Sequence, residues 1–164
     1  MFSDDVVRLA NDVLTLAGDA GVMVATAESC TGGLVAAALT EIAGSSSVVD
    51  RGFVTYSNQA KMQMLGVKEQ TLADHGAVSE PTAREMAAGA VAHSAASAAV
   101  AITGIAGPGG GSDEKPVGLV HFGAAKVDGT VLHIERRFGD LGREKVREAA
   151  LKQALEILAE ALRA

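Results

Sequence analysis

The chain has no tryptophan and one tyrosine among its 164 residues, and the 48% of it that is hydrophobic is mostly alanine, valine and leucine. Side chains of that size suit helices laid close on a sheet, and they do not build the aromatic platform on which nucleic-acid bases stack. The single cysteine, Cys30, excludes an intramolecular disulfide. No basic run offsets the net charge of −6, which argues against nucleic acid or an anionic membrane surface as a partner. A small anion held by local backbone dipoles remains compatible with that charge. No apolar run approaches the about 20 residues that span a bilayer. Met1 leads into a polar, acidic helix start rather than a secretory leader, so a cytoplasmic protein is expected. The length fits one domain, expected over residues 1–164.

Ser3-Asp4-Asp5 opens a helix, with a cap and two acids in its first turn. Val6, Leu9, Ala10, Val13, Leu14 and Ala17 follow at helical spacing, and the segment from Gly18 to Gly21 closes it. The apolar run from Val22 reads as a short buried strand and Leu34–Ile42 as a helix. Between them lies Glu28-Ser29-Cys30-Thr31-Gly32-Gly33, a strand-to-helix turn. Free backbone amides at such a helix start suit a phosphate, a carboxylate or a developing oxyanion, and glycine lets a ligand approach the backbone. The same residue types also cap ordinary turns, so the turn alone leaves both readings open.

Val48–Tyr56 returns as a strand with a bend expected at Gly52. Ser57 or Asn58 then caps a helix through Leu65, which puts Lys61 in the first turn, where the dipole repels a cation. Lys61 is therefore either a solvated side chain or a lysine whose pKa is lowered toward the neutral amine of a general base. A short helix follows over Lys68–Leu72, ended by Gly76, and Ser79-Glu80-Pro81-Thr82 starts another whose buried face is Ala83, Met86, Ala87, Ala90 and Val91. Ser97–Thr103 reads as a buried strand leading into Thr103-Gly104-Ile105-Ala106-Gly107-Pro108-Gly109-Gly110-Gly111-Ser112. Strands flank this segment, so it reads as a ligand-facing loop rather than a linker, and it matches neither a Walker loop nor a dinucleotide fingerprint. Lys115 closes the loop and points to water or to an anion.

Asp128-Gly129 between two apolar runs signals a hairpin that joins Val117–Val127 to Val131–Phe138, so the sheet is mixed. A long helix from about Leu141 ends the chain, its stripe formed by Val146, Ala150, Leu151, Leu155, Leu158 and Leu162. Arg143 and Arg147 stand against the dipole at its start, offset either by Glu144 and Glu148 or by an anion. His75, His93, His121 and His133 show no paired ligand spacing, so no metal site is expected. Glu28, the acid nearest Ser29, is expected to point the opposite way. The segments around Ser29, Lys61 and Thr103 all follow strands, whose ends gather on one edge of an open α/β sheet.

The segments Glu28-Ser-Cys-Thr-Gly-Gly33, Tyr56-Ser-Asn-x-x-Lys61, Gly76-Ala-Val-Ser79 and Thr103-Gly-Ile-Ala-Gly-Pro-Gly-Gly-Gly-Ser112 with Lys115-Pro-Val-Gly118 resemble, in order and over nearly the whole chain, the CinA C-terminal domain family, the nicotinamide-nucleotide amidases. The resemblance implies a three-layer α/β/α sandwich with a mixed sheet. It also implies hydrolysis of the carboxamide of nicotinamide mononucleotide to nicotinate mononucleotide and ammonia, by a serine/lysine mechanism without metal or other cofactor. On matching positions it makes Ser29 the nucleophile and Lys61 its base, with Tyr56 assisting. It places Cys30, Thr31, Gly32, Gly33, Asn58, Thr103, Gly104, Gly107 and Arg143 around the substrate, Arg143 on its phosphate. A homodimer is reasonable for the family. Many relatives carry a further N-terminal domain, so this chain is expected to be the stand-alone amidase. Cys30 is the rival nucleophile or a small packing residue. A nucleotide-binding module without turnover, or an amidase for another carboxamide, would use the same loops.

Overall fold

The computed structural model describes all 164 residues. The elements run α1 (Asp4–Ala20), β1 (Val24–Glu28), α2 (Leu34–Thr40), a single 3-10 turn (Ser45–Ser47), β2 (Val49–Val54), α3 (Asn58–Leu65), α4 (Glu69–His75), α5 (Glu80–Ala92), β3 (Ala98–Gly104), β4 (Leu119–Lys126), β5 (Val131–Arg137) and α6 (Arg143–Arg163). The strands form one sheet in the order β2-β1-β3-β4-β5. The first three are parallel and β4 and β5 are antiparallel, as the Asp128-Gly129 turn requires.

Strand alternation divides the core in two. Val24, Val100, Ile102, Val120 and Phe122 face α1, α2 and α6. Ala25, Ala27, Ala99, Ala101 and Ala125 face the layer led by Met86, Ala87 and Ala90 of α5. The alanine face lets α5 come down onto the sheet, and a methyl group at Gly123 would stand 2.3 Å from the Ala83 carbonyl oxygen. The result is the three-layer α/β/α sandwich with a mixed sheet.

Two local expectations change. The β1–β2 register slips between Val24 and Ala25, opposite Asp50, rather than bending at Gly52. Gly52 is small because α2 crosses over it, where a Cβ would lie 2.9 Å from both Ala36 Cβ and Thr26 Oγ1. The helix expected over Lys68–Leu72 runs instead to His75, directly before Gly76. No helix is long and apolar enough to cross a membrane.

Candidate active site

β1 delivers Ser29 to the edge of the sheet where the parallel strands end. Its amide donates to the Ile102 carbonyl of β3 at 2.9 Å, and its carbonyl accepts from the Gly32 amide at 3.0 Å, so the turn is held on both sides of the hydroxyl. Glu28 points the other way, as expected, and is fully buried. Its carboxylate accepts from the Val35 and Ala36 amides at 2.9 and 3.0 Å and from the Thr26 hydroxyl at 3.3 Å. This corrects the reading of the α2 N-terminus as a ligand's anion site, because the protein's own carboxylate fills it.

Ser57 caps α3 by accepting from the Ala60 amide at 3.0 Å, and Lys61 follows one residue later. Lys61 is not solvated: it is 1% exposed, with Nζ 3.0 Å from Ser29 Oγ and 2.8 Å from the Thr55 carbonyl oxygen. Burial pushes its pKa below the ordinary 10.5, opposed only by the Cys30 thiol. Loss of water around the ammonium is thus the main cause of the shift. The Cys30 thiol is driven the other way, up to about 12, chiefly by burial, so it stays protonated and is a poor nucleophile at neutral pH.

Ser29 and Lys61 open into a cavity of about 230 Å³ that Cys30, Tyr56, Asn58, Thr103, Gly104 and Arg143 also line. Ala77 and Val78, from the Gly76-Ala-Val-Ser79 segment, close one wall. Arg143 reaches back from the first residue of α6, donating to the Gly107 carbonyl at 2.9 Å and to Tyr56 Oη at 3.1 Å. Tyr56 itself is 63% exposed, so it stands at the mouth. Thr103 is present, but its hydroxyl proton is already given to the Ala77 carbonyl at 2.8 Å.

Several expected contacts do not form. Thr31, Gly32 and Gly33 lie outside the cavity. Thr31 is buried beneath the turn, Gly32 lies exposed against Arg147, and Gly33 is the residue before α2. Gly107 reaches the site only through its carbonyl on Arg143. Gly109, Gly110, Gly111 and Ser112 line a separate depression of about 590 Å³ with Arg137 and Asp140. Lys115 is half-exposed, and its Nζ also donates to the His75 carbonyl at 2.6 Å.

Other contacts carry no sequence signal of their own. Arg147 pairs with no glutamate; it donates to the Cys30 and Thr31 carbonyls at 3.1 and 3.3 Å. The Thr55 carbonyl as a partner for Lys61 is equally unreadable from residue type. His121 and His133, which show no paired ligand spacing in the sequence, meet across the sheet, with His121 Nδ1 2.8 Å from His133 Nε2. That pairing was in reach, because the register set by Asp128-Gly129 makes them diagonal neighbours on one face of β4 and β5. No group of three or more His, Cys, Asp or Glu is assembled.

Residues 6–162 match the CinA C-terminal domain family. The chain is 52% identical over 159 residues to the nicotinamide-nucleotide amidohydrolase PncC of Escherichia coli K12, covering 96% of this chain and 95% of that one. It is also 53% identical over 147 residues, 89% of this chain but 35% of the other, to a longer putative competence-damage inducible protein of Caldicellulosiruptor bescii. Among solved structures it is similar to the competence/damage inducible protein CihA from Agrobacterium tumefaciens, with a TM-score of 0.97 and 58% identity over 100% of this chain and 99% of that one.

Proposed function

The chain belongs to the CinA C-terminal domain family, and we propose that it hydrolyses the carboxamide of nicotinamide mononucleotide to nicotinate mononucleotide and ammonia, in the recycling of pyridine nucleotides. The name of the PncC relative, similar along nearly its whole length, supports the substrate. The observation that carries the mechanism is the buried Lys61 Nζ at 3.0 Å from Ser29 Oγ.

An amide is a poor electrophile with a poor leaving group, so the reaction needs an activated nucleophile, a site for the oxyanion and a proton for the departing nitrogen. Lys61, its ammonium form disfavoured by burial, takes the proton of Ser29 as Oγ attacks the carboxamide carbon. The tetrahedral oxyanion faces the turn after Ser29, where the amides of Cys30 and Thr31 donate to no backbone carbonyl. Lys61 then returns the proton to nitrogen, ammonia leaves, and Ser29 is acylated. A water activated by the same lysine attacks the ester, releasing nicotinate mononucleotide and restoring Ser29. The Thr55 carbonyl holds Lys61 throughout. Arg143, turned into the cavity and held by Gly107, receives the substrate phosphate, Tyr56 lies beside it at the mouth, and Asn58, Thr103 and Gly104 shape the walls.

One amidase domain over residues 1–164, a cytoplasmic location, no nucleic-acid partner and assembly as a homodimer belong to the same reading. Light scattering at twice the chain mass would support the dimer. The test of the function is ammonia release from nicotinamide mononucleotide, with free nicotinamide and the Ser29→Ala protein in parallel. Release that needs both the nucleotide and Ser29 is expected. Turnover retained in Ser29→Ala removes the nucleophile, and binding without release by the parent protein leaves a nucleotide-binding module.

A further inference from the structure

Three successive peptide units leave Ser29, and each is gripped from a different direction. The Ser29 amide is tied to Ile102 of β3 and the Ser29 carbonyl to the Gly32 amide. The next two carbonyls, of Cys30 and Thr31, both accept from one guanidinium, that of Arg147, which comes from α6, 117 residues away from Cys30; the Thr31 carbonyl also accepts from the Leu34 amide at 3.1 Å, whereas the Cys30 carbonyl has Arg147 as its donor. In a trans peptide the amide proton points away from the carbonyl of the same unit. A donor on the Cys30 oxygen therefore turns the Thr31 N–H to the opposite side, just as the Gly32 amide on the Ser29 oxygen turns out the Cys30 N–H. Neither of these two amides donates to a backbone carbonyl of the protein. The buried Thr31 hydroxyl beside them is likewise unpartnered.

Arg147 forms no ion pair that would compete with this grip, because the adjacent Glu148 pairs with Lys152 at 3.3 Å. Its charge is spent on peptide carbonyls. Gly32 supplies the left-handed backbone, with φ of +57°, that the turn needs at this point, and the guanidinium lies alongside it.

We propose that Arg147 is a positioning residue for catalysis: through the Cys30 carbonyl it presents the Thr31 amide, and through the Thr31 carbonyl it keeps the Gly32 amide on the Ser29 carbonyl, which turns out the Cys30 amide, so that both amides stand as preformed donors for the oxyanion. This rests on the reading of Ser29 as the nucleophile. Arg147 touches neither the substrate cavity nor Lys61, so its loss costs transition-state stabilisation without changing substrate contacts or the base. Loss of an oxyanion donor lowers turnover about 10²–10³-fold, and slackening two donors that remain present costs less.

The experiment compares the parent, Arg147→Ala and Arg147→Lys in ammonia release from nicotinamide mononucleotide. Arg147→Ala is expected to lower kcat on the order of 10–100-fold, with KM within about threefold of the parent and the pH midpoint of kcat unmoved. A solvent-facing cavity of about 290 Å³, walled by Val6, Leu34 and Leu151, opens onto the guanidinium. Guanidinium chloride at tens of millimolar is therefore expected to restore much of the lost kcat in Arg147→Ala, where sodium chloride at equal ionic strength does not. Arg147→Lys, whose ammonium reaches one carbonyl at a time, falls between the two and carries the test if Arg147→Ala does not fold. Parental kcat in either variant, a KM raised as far as kcat falls, a shifted pH midpoint, or no response to guanidinium overturns the assignment. The parent and Ser29→Ala measured alongside decide the nucleophile independently: if Ser29→Ala is inactive while Arg147→Ala matches the parent, only the role of Arg147 falls.

Discussion

Ser29 Oγ and Lys61 Nζ stand 3.0 Å apart although 32 residues separate them. Adjacent parallel strands bring this about. β1 and β2 end side by side, and the Thr55 amide still donates to the Glu28 carbonyl at 2.9 Å beyond the last paired residues. The nucleophile turn and the α3 entrance therefore leave the sheet in register, and Lys61 is carried under Ser29 by the first turn of its helix.

The lowered pKa of Lys61 has two consequences with opposite readouts. Activity is expected to fall as pH drops through that pKa, and Lys61→Ala to lose about 10²–10⁴ in kcat. In stability, the native lysine gives up its proton before the unfolded one, so between the lowered pKa and 10.5 the unfolded chain binds more protons and stability rises with pH. The raised Cys30 thiol acts in the opposite sense above 9.0, so urea unfolding is compared in the Cys30→Ala background, where the rise across that window should be seen with Lys61 present and be absent in Lys61→Met.

Cys30 should be dispensable for chemistry. With its thiol held near a pKa of about 12 by burial, Cys30→Ala is expected to keep kcat within about threefold, and iodoacetamide should leave the folded parent unmodified at pH 7.5 while labelling it in denaturant. Loss of turnover in Cys30→Ala with a parental melting temperature would contradict this.

Gly89 couples the helix layer to the site. A Cβ there would lie 1.9 Å from the Leu65 carbonyl oxygen, at the end of the helix that carries Lys61. Alanine improves helix propensity by about 1 kcal/mol, but the backbone of α3 must retreat. We expect Gly89→Ala to lower stability by about 1–3 kcal/mol and to reduce kcat as Lys61 is displaced, both measured on one preparation by thermal melts and ammonia release.

The His121–His133 pair should make the fold acid-sensitive. Burial, and for His121 also the neighbouring His133, hold both rings neutral below the ordinary 6.5. As pH falls through 6.5 the unfolded chain takes up protons first, so stability is lost progressively below that point. The Glu80 carboxylate, 3.7 Å from His133, acts in the opposite sense on that ring. Ring titration by NMR should place both histidines under 6.5, and His121→Gln should flatten the loss of stability between pH 6.5 and 4.5; a ring titrating above 6.5 would refute the assignment.

How far the site can be read without coordinates differs residue by residue. Ser57 as cap, Lys61 in the first turn, the turn at Ser29 and the glycine after β3 all follow from local patterns. Whether Lys61 is a solvated side chain or a buried amine does not, because that depends on the Thr55 carbonyl and on walls from the segment between α4 and α5 and from the end of β3. Arg147 looked like a charge in search of a carboxylate, and its partners are backbone carbonyls, which have no residue identity to recognise. The glycine loop was overread: its composition predicts exposed amides, but not that they face a different depression from Ser29.

Periodicity, caps and turn residues act between near neighbours along the chain, and they suffice for the elements, the hairpin, the mixed sheet and the edge at which Ser29, Lys61 and Thr103 gather. Which groups lose their water and which carbonyls face which donors follows only from packing. Desolvation of Lys61 and Cys30, the filling of the α2 terminus by Glu28 and the grip of Arg147 are properties of surfaces brought together from distant segments, and no local pattern contains them.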